Sequence, residues 1–267
     1  MVRHCTPDEP IVITGIGLIA SVGNDRESVW QAVRAGRSAA RRLKGLPGIP
    51  DGLLLGAPVE IEPEIPGELK AITLCRRTAA EAIADAAIDF AGIDRTRFAC
   101  AISGHMGDTR WAGGQFSLGH LLSQIPWWHQ WLPNTACSVV ANRWGLNGPR
   151  LCHSTACASG LIDIIAAVRA LRDDQCDIAL AGSAEAFHPL FAAGFHQMRV
   201  LANHDDPKRA CRPFDATRDG FIMGEGAAMF VLERLSHAQR RGAKIYAEML
   251  GGKTLADAHH LTGVDEE

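Results

Sequence analysis

The sequence has no long apolar run and no surplus of basic residues. No stretch of its 267 residues approaches the roughly 18 uninterrupted apolar residues that identify a membrane-spanning helix. The 27 Lys and Arg against 30 Asp and Glu give a formal net charge of −3, which offers no electrostatic argument for nucleic-acid binding. The segment from Met1 to Pro10 lacks the basic and apolar regions of an export signal. The sequence therefore predicts a soluble cytoplasmic protein that binds neither nucleic acid nor membrane.

The patterns of a disulfide framework, a zinc site and a nucleotide site are also missing. Eight cysteines at irregular spacings, without an export signal, favour reduced thiols. No second metal-binding pair completes a zinc site around Cys152, His153 and Cys157. Gly15 and Gly17 follow a predicted strand, but the ribose-binding acid expected about 20 residues later is absent. We therefore expect no metal and no nucleotide cofactor, and interpret the two glycines as a tight turn.

Apolar segments alternate along the chain with amphipathic ones, and 47% of the residues are hydrophobic. The predicted strands are 11–14, 98–102, 177–182, 227–233 and 244–250, and the predicted helices are 25–35, 68–90, 138–144, 161–168 and 236–241. Asn24 and Glu27 form a capping-box pattern at the first helix. The fourth helix is apolar nearly all round, which indicates a central, buried helix. This alternation predicts an α/β fold with a mixed, largely parallel sheet covered by helices on both faces.

One cysteine lies between a short apolar segment and a predicted helix, in His153-Ser-Thr-Ala-Cys157-Ala-Ser-Gly160. Unpaired backbone N–H groups and the helix dipole favour a thiolate there, lowering a pKa that is ~8.5 for a free cysteine. The alternative is that Cys157 is a small buried apolar side chain, and position alone leaves both interpretations open. The remaining cysteines are interpreted as core or incidental residues: Cys5, Cys75, Cys100, Cys137, Cys152, Cys176 and Cys211.

Several motifs occur in a characteristic order. They are Val12-Ile-Thr-Gly-Ile-Gly17, Gly145-Leu-Asn-Gly-Pro149, Ser154-Thr-Ala-Cys157-Ala-Ser-Gly160, Asp177-Ile-Ala-Leu-Ala-Gly-Ser-Ala-Glu185, Arg212-Pro-Phe-Asp-Ala-Thr-Arg-Asp-Gly-Phe-Ile-Met-Gly-Glu-Gly-Ala227 and His237-Ala-Gln-Arg-Arg-Gly-Ala-Lys-Ile-Tyr-Ala-Glu248. From about Ile11 to His260 the chain resembles the nucleophile-bearing, N-terminal half of the β-ketoacyl-acyl-carrier-protein synthases. The similarity is greatest to the discrete elongating bacterial enzymes.

This resemblance implies a thiolase-like fold, built from two similar halves and usually dimeric, and a two-stage condensation. A cysteine thiolate takes an acyl group from the phosphopantetheine of acyl carrier protein. Malonyl carrier protein then decarboxylates, and its carbanion attacks the thioester to give a 3-oxoacyl product. Cys157 matches the nucleophile. The implied partners are acyl carrier protein and a second synthase subunit, identical or different, and no cofactor is implied.

Other positions match the family less closely. Phe195 matches the aromatic residue beside the acyl pocket, although a core aromatic is the alternative. His105 stands near the position of an apolar gate over the acyl tunnel. Asp257 matches an acidic residue that supports the active site, although a helix-capping or surface role is the alternative. Asp219 and Glu225 match residues of structural turns and packing.

The family's second half supplies two histidines, a lysine and a Phe loop, and nothing after Cys157 resembles these elements. We therefore expect an N-terminal tail at 1–10, a synthase domain at 11–252, and at 253–267 the start of a connection to a missing half. Loss of one oxyanion donor typically costs ~10²–10³ in rate. Condensation by the chain alone is therefore expected to be negligible, as for a fragment or for a subunit that needs a separate second half.

Two further functions are compatible with the sequence. One is a non-catalytic partner that shapes chain length, although such partners usually lack the cysteine. The other is a Cys-His thioester hydrolase. The histidines considered as its base are His188, His196, His204 and His259.

Overall fold

The structure is a computed structural model that describes residues 9–46, 48–66, 68–104, 132–187, 189–256 and 258–260. The strands in these ranges are β1 (Ile11–Ala20), β2 (Arg41–Arg42), β3 (Leu55–Ala57), β4 (Phe98–Gly104), β5 (Arg150–Leu151), β6 (Ile178–Glu185), β7 (Met223–Gly224), β8 (Gly226–Arg234) and β9 (Ala247–Glu248). The α-helices are α1 (Arg26–Arg34), α2 (Lys70–Asp85), α3 (Thr135–Trp144), α4 (Ser159–Arg172), α5 (Pro189–Gln197) and α6 (Leu235–Arg240).

The main sheet has six strands in the order β5-β4-β6-β8-β1-β9. Strand β4 runs parallel to β5 and β6, whereas β8 runs antiparallel to β6 and β1, and β9 runs antiparallel to β1. A mixed sheet is therefore confirmed, but the prediction that it is largely parallel is wrong. The antiparallel half arises because β8 returns from far along the chain to lie between β6 and β1, a long-range pairing that local alternation does not encode.

Helices cover both faces of this sheet, as predicted. Along β4, Phe98, Cys100 and Ile102 point to one face, where they pack in a core with residues of α2 and α3. Ala99 and Ala101 point to the other face and pack in a second core with residues of α4. The strict alternation of β4 therefore serves two cores at once, and this places the C-terminal end of β4 between helices of both layers.

Gly15 and Gly17 lie inside β1 and do not form a turn, so the predicted end of this strand at residue 14 is wrong. Helix α2 packs directly on the strand at this point. A Cβ atom would lie 2.2 Å from the Ala82 carbonyl oxygen at Gly15, and 2.0 Å from the Thr78 carbonyl oxygen at Gly17. Glycine is thus required by a close approach between backbones, which explains the resemblance to a nucleotide fingerprint without a nucleotide.

Two helix predictions also need correction. Asp25 caps α1: its Oδ1 accepts the Ser28 N–H at 2.8 Å, and the Ser28 Oγ accepts the Asp25 N–H at 3.3 Å. The capping pair is therefore Asp25 and Ser28, one residue later in the chain than the predicted pair of Asn24 and Glu27. Helix α4 is not buried all round, because Leu161 keeps 68% of its surface exposed while Leu171 is fully buried. Within the described residues, only one face of α4 is covered.

Candidate functional site

A cavity of about 260 Å³ opens at the C-terminal ends of the parallel strands β4 and β6. Its floor is formed by the ends of these strands, and its wall by the segment that connects β5 to α4. The lining residues are Ser103, Gly104, Pro133, Cys152, His153, Ser154, Ala156, Cys157, Ser159, Gly160, Ser183, Ala184 and Glu185. Ligands of α/β proteins commonly bind beyond the carboxyl ends of parallel strands. The cavity is therefore the first place to look for chemistry.

Cys157 lies in this cavity, in a single 3₁₀ turn (Ala156–Ala158) that leads directly into α4. Its side chain is exposed, which excludes the interpretation as a buried core residue. Ala156, just before it, has a φ of +49°, in the left-handed region that alanine rarely adopts. The Ser159 Oγ donates to the Ala156 carbonyl at 2.7 Å and accepts the Thr155 N–H at 2.9 Å. The thiol is therefore presented on a strained turn that hydrogen bonds hold in place.

The other described cysteines differ from Cys157 in environment. Burial raises the pKa of Cys152 to about 11 and that of Cys176 to about 12, so both thiols stay neutral at physiological pH. Cys75 is fully buried and its pKa is raised by the same cause. Cys211 is exposed but does not line the cavity. Cys5 lies outside the described residues.

A histidine and a buried aspartate form a pair beside the thiol that does not emerge from the sequence. His153 Nδ1 lies 2.6 Å from Oδ1 of Asp163, and the His153 backbone N–H donates to the same oxygen at 3.2 Å. Asp163 is fully buried. Burial raises the pKa of its carboxyl, and the hydrogen bond from His153 partly offsets this. The sequence contains one signal that could have found this pair: an ionisable residue stands on each side of Cys157, in a segment of otherwise small or apolar residues.

Besides Cys157, the structure describes three of the residues carried over from the family: Phe195, Asp219 and Glu225. Asp219 forms an ion pair with Arg212 at 3.3 Å. The Phe195 ring packs edge-on against Phe221, with ring centroids 5.5 Å apart, and does not line the Cys157 cavity. Its role beside an acyl pocket stays a prediction. Glu225 is buried, forms an ion pair with Lys70 and accepts the Phe187 N–H at 2.8 Å, which fits the structural role expected for it. His105 and Asp257 lie outside the described residues.

The described histidines among those considered for a hydrolase do not line the cavity with the thiol. His196 is exposed on α5, and His204 Nδ1 accepts the Asp206 N–H at 3.0 Å in a local turn. Neither they nor His259 line the cavity, and His188 lies outside the described residues. In the ranges that the structure covers, no group of three or more His, Cys, Asp or Glu could hold a metal ion. No described helix has the length and apolar character needed to cross a membrane.

Comparison with known sequences gives a consistent family. The family model described as the N-terminal domain of β-ketoacyl synthase matches residues 8–68 and 69–238. The chain is 34% identical to the ketoacyl synthase alpha subunit of tetracenomycin polyketide synthase from Streptomyces glaucescens, over 99% of this chain and 66% of the relative. It is 33% identical to 3-oxoacyl-[acyl-carrier-protein] synthase 2 of Coxiella burnetii, over 96% of this chain and 66% of the relative.

Solved structures agree with the sequences. A β-ketoacyl synthase from Burkholderia phymatum superposes with a TM-score of 0.80 at 30% identity, over 95% of this chain and 66% of that one. A type II polyketide ketosynthase in complex with its acyl-carrier protein gives a TM-score of 0.83 at 27% identity, over 96% of this chain and 65% of that one. The thiolase-like fold is confirmed. The chain spans about two thirds of the length of these relatives.

Proposed function

Since the chain belongs to the β-ketoacyl synthase family, we propose that Cys157 accepts an acyl group from a carrier-protein thioester, as the first stage of a 3-oxoacyl-acyl-carrier-protein synthase reaction. One observation carries this proposal: the exposed thiol stands on a strained turn at the start of α4, inside a cavity at the ends of β4 and β6. A long phosphopantetheine arm can deliver a thioester to such an open cavity.

In this reaction the Cys157 sulfur attacks the thioester carbonyl, and the bond from that carbonyl to the carrier thiol breaks. The acyl group is then stored as a new thioester while the first carrier leaves. Backbone N–H groups at the start of a helix stabilise negative charge, both on the attacking thiolate and on the oxyanion that forms. Ala156 and Gly160, which line the cavity beside Cys157, add little side-chain bulk to it.

Formation of the carbon–carbon bond makes further demands. The attacking carbanion arises by decarboxylation of a malonyl thioester, and its enolate oxygen needs hydrogen-bond donors. The family resemblance assigns these donors to histidines beyond the two thirds of the relatives' length that this chain spans. We therefore assign acylation to the part of the synthase that this chain spans, and the full condensation to a synthase of the relatives' full length.

Acyl carrier protein and a second synthase-type subunit are the proposed partners. Solved relatives support both partners by their names: one is a ketosynthase in complex with its acyl-carrier protein, and another is a ketosynthase with a chain length factor. A non-catalytic, chain-length role for this chain is less well supported. Cys157 is present and exposed in the cavity, whereas such partners usually lack the cysteine.

The test is intact-mass spectrometry of the chain after incubation with octanoyl-acyl carrier protein. Cys157→Ala removes the proposed nucleophile, and Cys211→Ala is the matched control, because Cys211 is the other exposed thiol among the described residues. We expect one octanoyl adduct in the wild type and in Cys211→Ala, and none in Cys157→Ala. An adduct of equal yield in Cys157→Ala would overturn the proposal.

A further inference from the structure

The wall of the Cys157 cavity contains an imidazole as well as a thiol. His153 lines the same cavity of about 260 Å³ as Cys157. It lies on the connection from β5 to α4, four residues before the cysteine, whereas its partner Asp163 lies in the second turn of α4. The β5–α4 connection and the helix thus each contribute one member of a pair that flanks Cys157 in the sequence.

The hydrogen bonds fix the orientation of the imidazole. An ionised carboxylate can only accept, so the 2.6 Å contact between Asp163 Oδ1 and His153 Nδ1 places the ring hydrogen on Nδ1. The other ring nitrogen, Nε2, is left as a base, and no hydrogen bond from it occurs in the part of the chain that the structure describes. A carboxylate that holds one nitrogen of a histidine and leaves the other free is the usual arrangement of a proton-transfer histidine.

The Asp163 carboxylate is buried, and burying a carboxylate costs free energy unless hydrogen bonds compensate. Asp163 is fully buried, and its Oδ2 has no hydrogen-bond partner of regular geometry among the described residues. Ser103 Oγ, which is also buried and without such a partner, lies close enough to favour the charged carboxylate. A buried carboxylate with one oxygen unpaired destabilises the fold, and such groups in native proteins usually have a functional role. Its one side-chain hydrogen bond of regular geometry goes to His153.

We propose that His153 is the proton-transfer residue for acylation of Cys157, and that Asp163 positions it. This inference rests on the proposed function and deepens it. His153 Nε2 takes the proton of the Cys157 thiol as the sulfur attacks the thioester carbonyl. When the tetrahedral intermediate collapses, the bond to the carrier sulfur breaks, and the imidazolium returns its proton to that sulfur. The products are acyl-Cys157 and the free carrier thiol, and His153 is again neutral.

The other ionisable groups around the cavity do not duplicate this role. Cys152 also lines it, but burial raises its pKa to about 11, so it remains a neutral thiol. Glu185 also lines it, at the end of β6, where it contributes a carboxylate and no imidazole. Cys137, on α3, interacts electrostatically with the Asp163 carboxylate but is buried away from the cavity. His153 is the only imidazole among the described lining residues.

The test compares the rate of Cys157 acylation by an octanoyl thioester of N-acetylcysteamine in three variants, followed by quenched intact mass from pH 5 to 9. His153→Gln removes the base, and we expect a loss of about 10²-fold or more. Asp163→Asn keeps the shape but removes the carboxylate that orients the imidazole, so acylation should slow and its pH profile should differ from that of the wild type. His196→Gln, an exposed histidine on α5, is the matched control and should acylate like the wild type. A wild-type rate in His153→Gln would overturn the inference.

Thermal unfolding and alkylation of Cys157 separate a failure to fold, or a failure of the proposed function, from a failure of the inference about His153. His153 is partly exposed, so His153→Gln is expected to fold even where the buried Asp163→Asn does not, and thermal unfolding checks this. If the wild type itself takes no acyl group, the proposed function fails. The inference about His153 is then decided by alkylation of Cys157 with iodoacetamide. Faster alkylation of the wild type than of His153→Gln near pH 7 supports it, and identical rate profiles contradict it.

Discussion

Gly160 lies against Ser183, so that a Cβ atom at residue 160 would come within 2.3 Å of the Ser183 hydroxyl oxygen. This contact brings the first turn of α4 onto the C-terminal end of β6. The contact thereby fixes the distance between the turn that carries Cys157 and the ends of the parallel strands. The nucleophile's position is thus determined by a contact between two small residues that do no chemistry themselves.

Gly160→Ala should therefore displace the start of α4 and reduce the rate of Cys157 acylation. The added methyl group overpacks the contact, which typically costs about 1–3 kcal/mol. Thermal unfolding gives the loss of stability, and intact-mass kinetics give the loss of acylation. Adding Ser183→Gly removes the obstructing side chain and should restore the acylation rate. If the single variant acylates normally, the contact does not position the thiol.

Gly17→Ala tests the close approach of α2 to β1. The new Cβ would lie 2.0 Å from the Thr78 carbonyl oxygen, a backbone atom that cannot turn away. We expect the free energy of unfolding, measured by urea denaturation, to fall by about 3 kcal/mol or more. Gly194→Ala is the control, because no atom lies within 4 Å of the place that its new Cβ would take. That helical substitution should stabilise the chain by up to about 1 kcal/mol.

Glu233 should make the stability of the chain depend on pH in the acid range. Burial opposes its charge, but hydrogen bonds from Arg241, His237 and Thr14 prevail and lower the pKa of Glu233 to about 2, from an ordinary value of 4.5. Because the folded-state pKa is depressed, the stabilisation is complete above about pH 4.5. It is lost as the pH falls towards 2. By linkage it amounts to about 3 kcal/mol.

Glu233→Gln should remove this acid sensitivity. The variant leaves Arg241 without its carboxylate partner, so we expect it to be about 3–5 kcal/mol less stable at pH 7. Its free energy of unfolding should contain no component that titrates between pH 5 and 2 and is attributable to this residue. Urea titrations of both proteins across that range provide the check. Parallel curves for the two proteins would contradict the assignment.

Helix α4 has two unlike faces, and substitutions should reveal them. Leu171→Ala empties a fully buried position and should cost about 2–5 kcal/mol. Leu161→Asn changes a side chain that is 68% exposed, and should alter the stability of this chain by less than about 0.5 kcal/mol. Chemical denaturation of both variants measures the contrast. A large loss in Leu161→Asn would mean that this face is already covered.

The order of strands and helices could be predicted from sequence because each element carries a local apolar pattern. Sheet topology could not, since the pairing of β8 with β1 and β6 joins segments far apart in the chain. The local pattern at Gly15 and Gly17 fits both a tight turn and a close approach of a helix, so the sequence alone does not show which of the two forms. Cys157 could be found from its surroundings. The role of His153 could not, because its partner Asp163 becomes visible only when α4 is placed beside the preceding segment.

The most direct test of the account is peptide mapping of the acylated chain by tandem mass spectrometry. The protein would be exposed to an equimolar octanoyl thioester, digested, and the acyl group located among its cysteines. We expect Cys157 to carry the octanoyl group and Cys211, although also exposed, to carry none. An acyl group shared evenly between the two cysteines, or absent from Cys157, would show that the turn before α4 does not create a nucleophile.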